Sequence, residues 1–263
     1  MAVVALLTDF GLNDSFVAQM KAVILKINPS ANIVDISHGV DSSDIYGGAF
    51  LLWSSFAYFP KGTIFVGVVD PGVGSSRRAI IIKTKNYYFV GPDNGILTIA
   101  AWRDGIEKIV EIKNTKYCLQ QNSCTFHGRD IFASVAGYLS RGVKLLRFGT
   151  VSKKFKQIVF PAFVVDGAVL KAKIIYIDKF GNLVTNIDYG DLKRFTADKN
   201  FQAFLRGKRF DRYHDIYADG GSRPFFIKGS SSFLEISLKN KSAKDYFGVK
   251  CPQADILRIR RGK

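Results

Sequence analysis

Cysteine is scarce in this 263-residue chain: Cys118, Cys124 and Cys251 are the only three. Three thiols cannot all pair within one chain, and no Cys-x-x-Cys or mixed Cys/His cluster offers a zinc site. Free thiols in a reducing compartment follow. Long apolar runs are missing too. The longest, Gly47 to Phe59, holds two serines and stops at Pro60-Lys61-Gly62, too short to cross a bilayer. The apolar start, Met1 to Leu7, lacks a basic flank and runs into Asp9, so it reads as a buried strand and not as a signal peptide. A cytoplasmic protein with no membrane partner is expected. Acidic residues are in the minority, 22 against 38 Lys and Arg, for a net charge of +16. Residues 1–150 hold 15 basic and 11 acidic side chains, whereas residues 151–263 hold 23 and 11. Such an excess fits an anionic partner such as nucleic acid, or a lysine-rich surface that favours solubility. The charges are scattered and no RNA-binding signature accompanies them, so the surface reading is preferred and a nucleic-acid partner is not expected.

What is present is an ordinary globular composition, 47% hydrophobic and 23% charged. It suffices for one large domain or two modest ones. Up to about residue 150, strand and helix signals alternate. Val3 to Leu7 is a continuous apolar run ending at Thr8-Asp9, as a fully buried parallel strand reads. Asp14-Ser15 can cap a helix to about Ile27, stopped by Asn28-Pro29. Ile33 to Ile36 is the next strand, Ser43-Asp44 opens a helix, and Thr63 to Val69 is a strand ending at Asp70-Pro71-Gly72. Ala79 to Ile82 pairs with Tyr87 to Val90. A short helix follows Gly91-Pro92-Asp93-Asn94-Gly95, and Asp130 to Leu139 is a helix of small residues. This is an α/β domain around a mostly parallel sheet. After Pro161 the signals change to strands, at Leu170 to Ile177, Leu183 to Ile187, Phe225 to Lys228, Phe233 to Leu238 and Ile256 to Ile259. Polar loops separate them, so a second, mainly β domain is expected. The boundary falls within 150–168, giving domains of 1–160 and 161–263.

Ligands of open α/β sheets bind beyond the carboxyl ends of the strands. Two strands here end on acids, Asp9 and Asp70. A carboxylate at Asp9 suits a ribose diol, because it can accept two hydroxyl protons. Equally, Asp9 and Asp14 can be plain turn and cap residues. In Asp70-Pro71-Gly72-Val73-Gly74-Ser75-Ser76-Arg77-Arg78, the glycines let backbone approach a ligand. Arg77 can fold back toward Asp70, for chemistry or as a structural ion pair. The run is neither a Walker A loop nor a dinucleotide fingerprint. His127 precedes a helix and gains weight from an Asp and an Arg already placed at strand ends. Asp178-Lys179-Phe180-Gly181-Asn182 mixes an acid, a ring and an amide in one turn, and Gly229-Ser230-Ser231-Ser232 is a second polar turn. Either can be an ordinary loop.

In this order, these segments resemble the S-adenosylmethionine hydroxide adenosyltransferase family, relatives of the fluorinase and chlorinase enzymes, over nearly the whole chain. The carriers are Thr8-Asp9-Phe10-Gly11 with Asp14-Ser15, Val69-Asp70-Pro71-Gly72-Val73-Gly74 with Arg77-Arg78, Gly91-Pro92-Asp93-Asn94-Gly95, Phe126-His127-Gly128-Arg129-Asp130 and Asp178-Lys179-Phe180-Gly181-Asn182. The resemblance implies an N-terminal α/β domain, a smaller C-terminal β-barrel-like domain, and a homotrimer with sites between subunits. The activity implied is hydrolysis of S-adenosylmethionine to adenosine and methionine, with no cofactor and no metal. Asp9 would hold the ribose hydroxyls. Asp14 and Ser15 would face the methionine part, and Phe126 would line the substrate. Asp178 would take the methionine ammonium and Ser230 its carboxylate, while Phe180 and Asn182 would hold the adenine. Asp70, Arg77 and His127 would handle the attacking water, with Asp70 or His127 as proton acceptor. The halogenating relatives place a tyrosine where Asp70 stands, and a halide-binding serine or a glycine where Gly128 stands. One departure is Val40-Asp41-Ser42-Ser43, where the family carries prolines. Competing readings are a module that holds adenosine or a nucleic acid without turnover, a methyltransferase using the same cofactor, and a protein with a vestigial site. Against the methyltransferase, Asp9-Phe10-Gly11-Leu12 is not a glycine-rich loop.

Overall fold

A computed structural model describes residues 2–119, 124–197 and 199–262. The chain divides into two compact units, Met1–Val159 and Phe160–Lys263. Among the described residues, no helix is long and apolar enough to cross a membrane.

The first unit runs β1 (Val3–Thr8), α1 (Phe16–Ile27), β2 (Asn32–Ser37), α2 (Ile45–Ser55), β3 (Ile64–Val68), β4 (Ala79–Thr84), β5 (Tyr88–Pro92), α3 (Thr98–Asp104), β6 (Ile106–Ile112), α4 (Ser134–Ser140) and β7 (Gly149–Val151). Its sheet has the order β2-β1-β3-β5-β4-β6-β7. The pairings from β2 through β5 are parallel, and β4, β6 and β7 extend the sheet antiparallel. Central strands read as unbroken apolar runs because both faces are covered. Val4 and Leu6 of β1 pack with Met20 and Ile24 of α1 and Val135 and Ala136 of α4. Their neighbours Ala5 and Leu7 pack with Leu52 of α2 and Ala100 and Ala101 of α3 on the other side. Each large buried apolar side chain adds about 1.5–3 kcal/mol, so the alternation fixes which acids emerge at the strand ends. From β1 the chain goes to β2 on one side and then to β3 on the other. The crevice between the ends of β1 and β3 is therefore the topological switch point, where such sheets take ligands.

Helix starts differ in how they are held. Asp44 caps α2, its Oδ1 accepting from Gly47 N at 2.9 Å. Ser15 stands before α1 without a side-chain cap hydrogen bond. The helix expected from Asp130 begins earlier and in another form: Gly128–Ala133 is a π-helix that passes into α4. Such widened turns are rare and often sit at functional sites.

The second unit contains β8 (Val164–Asp166), β9 (Val169–Ile177), β10 (Leu183–Asp188), α5 (Tyr189–Thr196), β11 (Phe201–Leu205), β12 (Lys208–Phe210), β13 (Phe225–Lys228), β14 (Phe233–Ser237), α6 (Ala243–Phe247) and β15 (Ile256–Arg261). Its eight strands are antiparallel in the order β12-β11-β15-β9-β10-β14-β13, with β8 on β9, a nearly closed, barrel-shaped sheet. Alternate residues fill the interior, among them Leu170, Ala172, Ile174, Leu234, Ile236, Leu257 and Ile259. Their sequence neighbours, Glu235 included, face the other way.

Candidate active site

Asp9 and Asp70 follow the paired ends of β1 and β3, where Thr8 lies opposite Val68. Both line a cavity of about 360 Å³ together with Phe10, Phe126, His127 and Gly128. Each is held by its own set of bonds. Asp9 Oδ2 accepts from Ser43 N at 3.0 Å. The preceding Thr8 hydroxyl meets His38 Nδ1 at 2.8 Å and accepts from Phe10 N at 3.3 Å, which ties the turn to β2.

The Asp70 carboxylate and the Arg77 guanidinium form a buried fork. Arg77 Nε donates to Oδ1 at 3.0 Å and Oδ2 at 2.8 Å, and Nη2 donates to Oδ2 at 2.5 Å. Their side chains are 5% and 7% exposed, so solvent screens the pair little. The guanidinium also lies over the Phe132 ring, 5.2 Å from its centroid. Arg77 Nη2 then reaches His127 Nδ1 at 2.7 Å. A guanidinium can only donate, so Nδ1 is the acceptor and the neutral ring carries its proton on Nε2. Burial first, and the Arg77 charge next, hold the His127 pKa below its ordinary value. The imidazole is thus neutral at pH 7 with Nε2–H as its remaining donor.

The loops around this trio explain several motif residues. Asn94 Nδ2 donates to Val69 O at 2.7 Å, immediately before Asp70. Asp93, 4% exposed, pairs with Arg78 at 2.5 Å, immediately after Arg77. Gly74 has φ +76°, and a Cβ there would lie 2.5 Å from the Cys124 carbonyl oxygen. A Cβ on Gly128 would press on the Phe10 and Phe126 rings at 3.1–3.2 Å. Those rings and Phe16 pack on one another with centroids 5.2–5.9 Å apart. Phe16 was not foreseen, while Phe10 and Ser43 were seen only as parts of motifs and not as site residues; Ser43 lies 34 residues from the Asp9 carboxylate that its N–H bonds, a distance no spacing rule bridges. Asp14 and Ser15 are exposed at the start of α1, outside the residues that line the cavity.

In the second unit, Asp178, Phe180, Asn182 and Ser230 line one cavity of about 800 Å³. Asp178 organises its own turn: Oδ1 accepts from Phe180 N at 2.9 Å and Asn182 N at 2.8 Å, and Oδ2 from Asn182 Nδ2 at 2.8 Å. That leaves the Phe180 side chain outside, and the residue is 75% exposed. Tyr217 and Glu235 line the same cavity and were not foreseen. An acid among apolar residues in Phe233-Leu234-Glu235-Ile236 was the available signal, since period two turns it away from the core.

With this geometry in place, comparison with known proteins is decisive. The model of the SAM hydroxide adenosyltransferase N-terminal domain matches residues 4–149, and that of the C-terminal domain matches residues 172–254. The chain belongs to the SAM hydroxide adenosyltransferase family. A member from Methanocaldococcus jannaschii, named (R)-S-adenosyl-L-methionine hydrolase, is 40% identical over 190 residues, 70% of this chain and 66% of that relative. A fluorinase from an Actinoplanes species is 29% identical over 231 residues, 78% of this chain and 77% of its own length. The crystal structure of an uncharacterized conserved protein from Thermotoga maritima superposes with a TM-score of 0.90 at 36% identity, covering 98% of this chain and all of that one. Relatives of both kinds, hydrolases and a fluorinase, are similar to this chain, so the family alone does not choose between water and halide as the nucleophile.

One expectation follows directly from the His127 geometry. Protonating Nδ1 would place a cation against Arg77. The acid limb of kcat/KM should therefore lie below pH 6.5, the value of an unperturbed histidine. The same shift makes the unfolded chain bind more protons just below pH 6.5, so stability falls as the pH drops through that window. His127→Gln should flatten both effects, as read from pH-rate profiles and thermal unfolding. A wild-type acid limb at or above pH 6.5 contradicts the assignment.

Proposed function

We propose that this chain hydrolyses S-adenosylmethionine to adenosine and L-methionine, by attack of water on the ribose 5′ carbon opposite the sulfonium. The observation that carries the reading is the Asp70–Arg77–His127 chain at the switch-point crevice, its ion pair buried and its imidazole half-buried. Methionine leaves as a neutral thioether, so its departure needs no acid. The difficult partner is water, whose pKa is about 15.7 when free. Asp70 is the proton acceptor in this reading. His127 has Nδ1 occupied by Arg77 and a proton on Nε2, so it is suited to donating to the water oxygen and orienting it. Arg77 fixes both partners. Asp9 holds the ribose diol, and Phe126 lines the substrate. Asp14 and Ser15 are assigned to the methionine end. Asp178 and Ser230 take the ammonium and carboxylate, with Phe180 and Asn182 on the adenine.

These assignments fall in both units, so the reading includes a homotrimer in which the α/β unit of one subunit works with the β unit of its neighbour. The unit boundary near residue 160 then separates the water-activating part from the part that completes the site. A cytoplasmic setting belongs to the same reading, since Cys118, Cys124 and Cys251 are all free thiols.

The reading is tested by incubating the protein with S-adenosylmethionine and separating the products by chromatography. Adenosine and methionine should appear in equal amounts. Added chloride or fluoride should yield little 5′-halo-deoxyadenosine, because Asp70 sets a negative charge beside the nucleophile's position, while water can give that carboxylate a proton. S-adenosylhomocysteine with a methylated acceptor, or efficient halide transfer, would sink the proposal.

A further inference from the structure

The sequence motifs leave the floor of the second unit's cavity unexplained. There, Glu235 is a carboxylate only 7% exposed, facing out of the barrel from β14. The Tyr217 hydroxyl donates to its Oε2 at 2.8 Å. Oε1 lies against Gly229, where a Cβ would stand 1.9 Å away, so a side chain at that position would displace the carboxylate. Burial pushes the Glu235 carboxyl above its ordinary range, the Tyr217 hydrogen bond opposes the rise, and the charge of Asp178 adds to it. An acid held this way is costly unless a cation arrives.

Asp178 by itself is a poor host for that cation. A carboxylate offers about four acceptor positions, and three of those on Asp178 are used by Phe180 N, Asn182 N and Asn182 Nδ2. A primary ammonium brings three donors. We propose that Glu235 takes the substrate's ammonium together with Asp178 and is a specificity-determining residue of this cavity. The proposal rests on the function given above. An ammonium between the two carboxylates relieves their repulsion and supplies the charge that burial denies them. An uncharged substitute at that position leaves both carboxylates uncompensated, so the cavity selects for the amino acid end of the substrate and not only for its nucleoside.

The test compares S-adenosylmethionine with its analogue in which hydrogen replaces the α-amino group, on wild type and Glu235→Gln. The amide keeps an acceptor for Tyr217 and so preserves that brace. Glu235→Gln should raise KM for S-adenosylmethionine about tenfold or more, the range of a charge-assisted hydrogen bond, with kcat within about twofold, the signature of lost uniform binding. KM for the deaminated analogue should not rise in Glu235→Gln and should fall if the uncompensated charge opposes its binding. Glu235→Asp, which restores the charge, should recover part of the preference for the amino substrate, and it carries the test if the amide variant does not fold. An unchanged KM for S-adenosylmethionine, or equal losses with both compounds, overturns the proposal and leaves the hydrolase reading standing. Absence of adenosine from the wild-type reaction removes the hydrolase reading, and this inference with it.

Discussion

Replacing Asp70 with asparagine is expected to cut turnover by about 10²–10⁴-fold, the usual contribution of general base catalysis, while S-adenosylmethionine still binds. The substitution removes the proposed proton acceptor and with it the charge paired with Arg77, which bonds both carboxylate oxygens, so that a single amide oxygen is left to accept from the guanidinium. His127 is a weak substitute, because its Nδ1 already accepts from Arg77 at 2.7 Å. Asp9→Ala should do the reverse: it should chiefly weaken binding, because the proposed role of its carboxylate is on the ribose and not on the water. Calorimetric binding, single-turnover rates and thermal unfolding separate these outcomes. Unfolding matters here, since breaking a buried ion pair can cost about 3–5 kcal/mol, and a melted protein would imitate a catalytic defect. Near-normal single-turnover rates in folded Asp70→Asn would falsify the assignment of the base.

Much of this site was legible in the sequence because its parts are local. Strand ends on acids are visible as apolar runs that stop at Asp9 and Asp70, and the fold-back of Arg77 onto Asp70 spans only seven residues. The arrival of His127 beside Arg77 is different: fifty residues separate them, and only the family resemblance joined them. The π-helix at Gly128–Ala133 was hidden, because no local residue pattern marks a widened turn, and the Phe10 ring that crowds Gly128 comes from more than a hundred residues away. In the second unit β9, β10, β13, β14 and β15 were visible as apolar runs between polar loops. The β11–β12 hairpin was not. Its turn places Arg206 at φ +48° and Gly207 at φ +79°, and arginine at the first of two left-handed positions is an uncommon signal. Helix α5 was missed for a related reason. Its capping box closes with Asp191 on Asp188 in place of the usual Glu or Gln. Glu235 was passed over because an acid facing out of a strand is usually solvated, and its contacts with Tyr217 and Gly229 are not visible in the sequence.

Mixing two inactive variants should restore activity if the proposed trimer shares its sites. His127→Ala damages the α/β unit alone, and Asp178→Ala damages the β unit alone. In a shared site each unit comes from a different subunit. An intact site then needs the α/β unit of an Asp178→Ala chain beside the β unit of a His127→Ala chain. With equal amounts and free exchange, about a quarter of the sites in a symmetric ring meet that condition. Turnover should therefore rise from near background to about a quarter of wild type, on the same cyclic arrangement. A site built within one chain predicts none, since every chain in the mixture carries one lesion. The measurement is adenosine release after exchange, with mixed trimers verified by mass spectrometry on differently tagged chains. Background activity in verified mixed trimers would place both half-sites in the same subunit. A chain that never forms trimers would remove the shared site outright, while leaving the Asp70, Arg77 and His127 geometry as it stands.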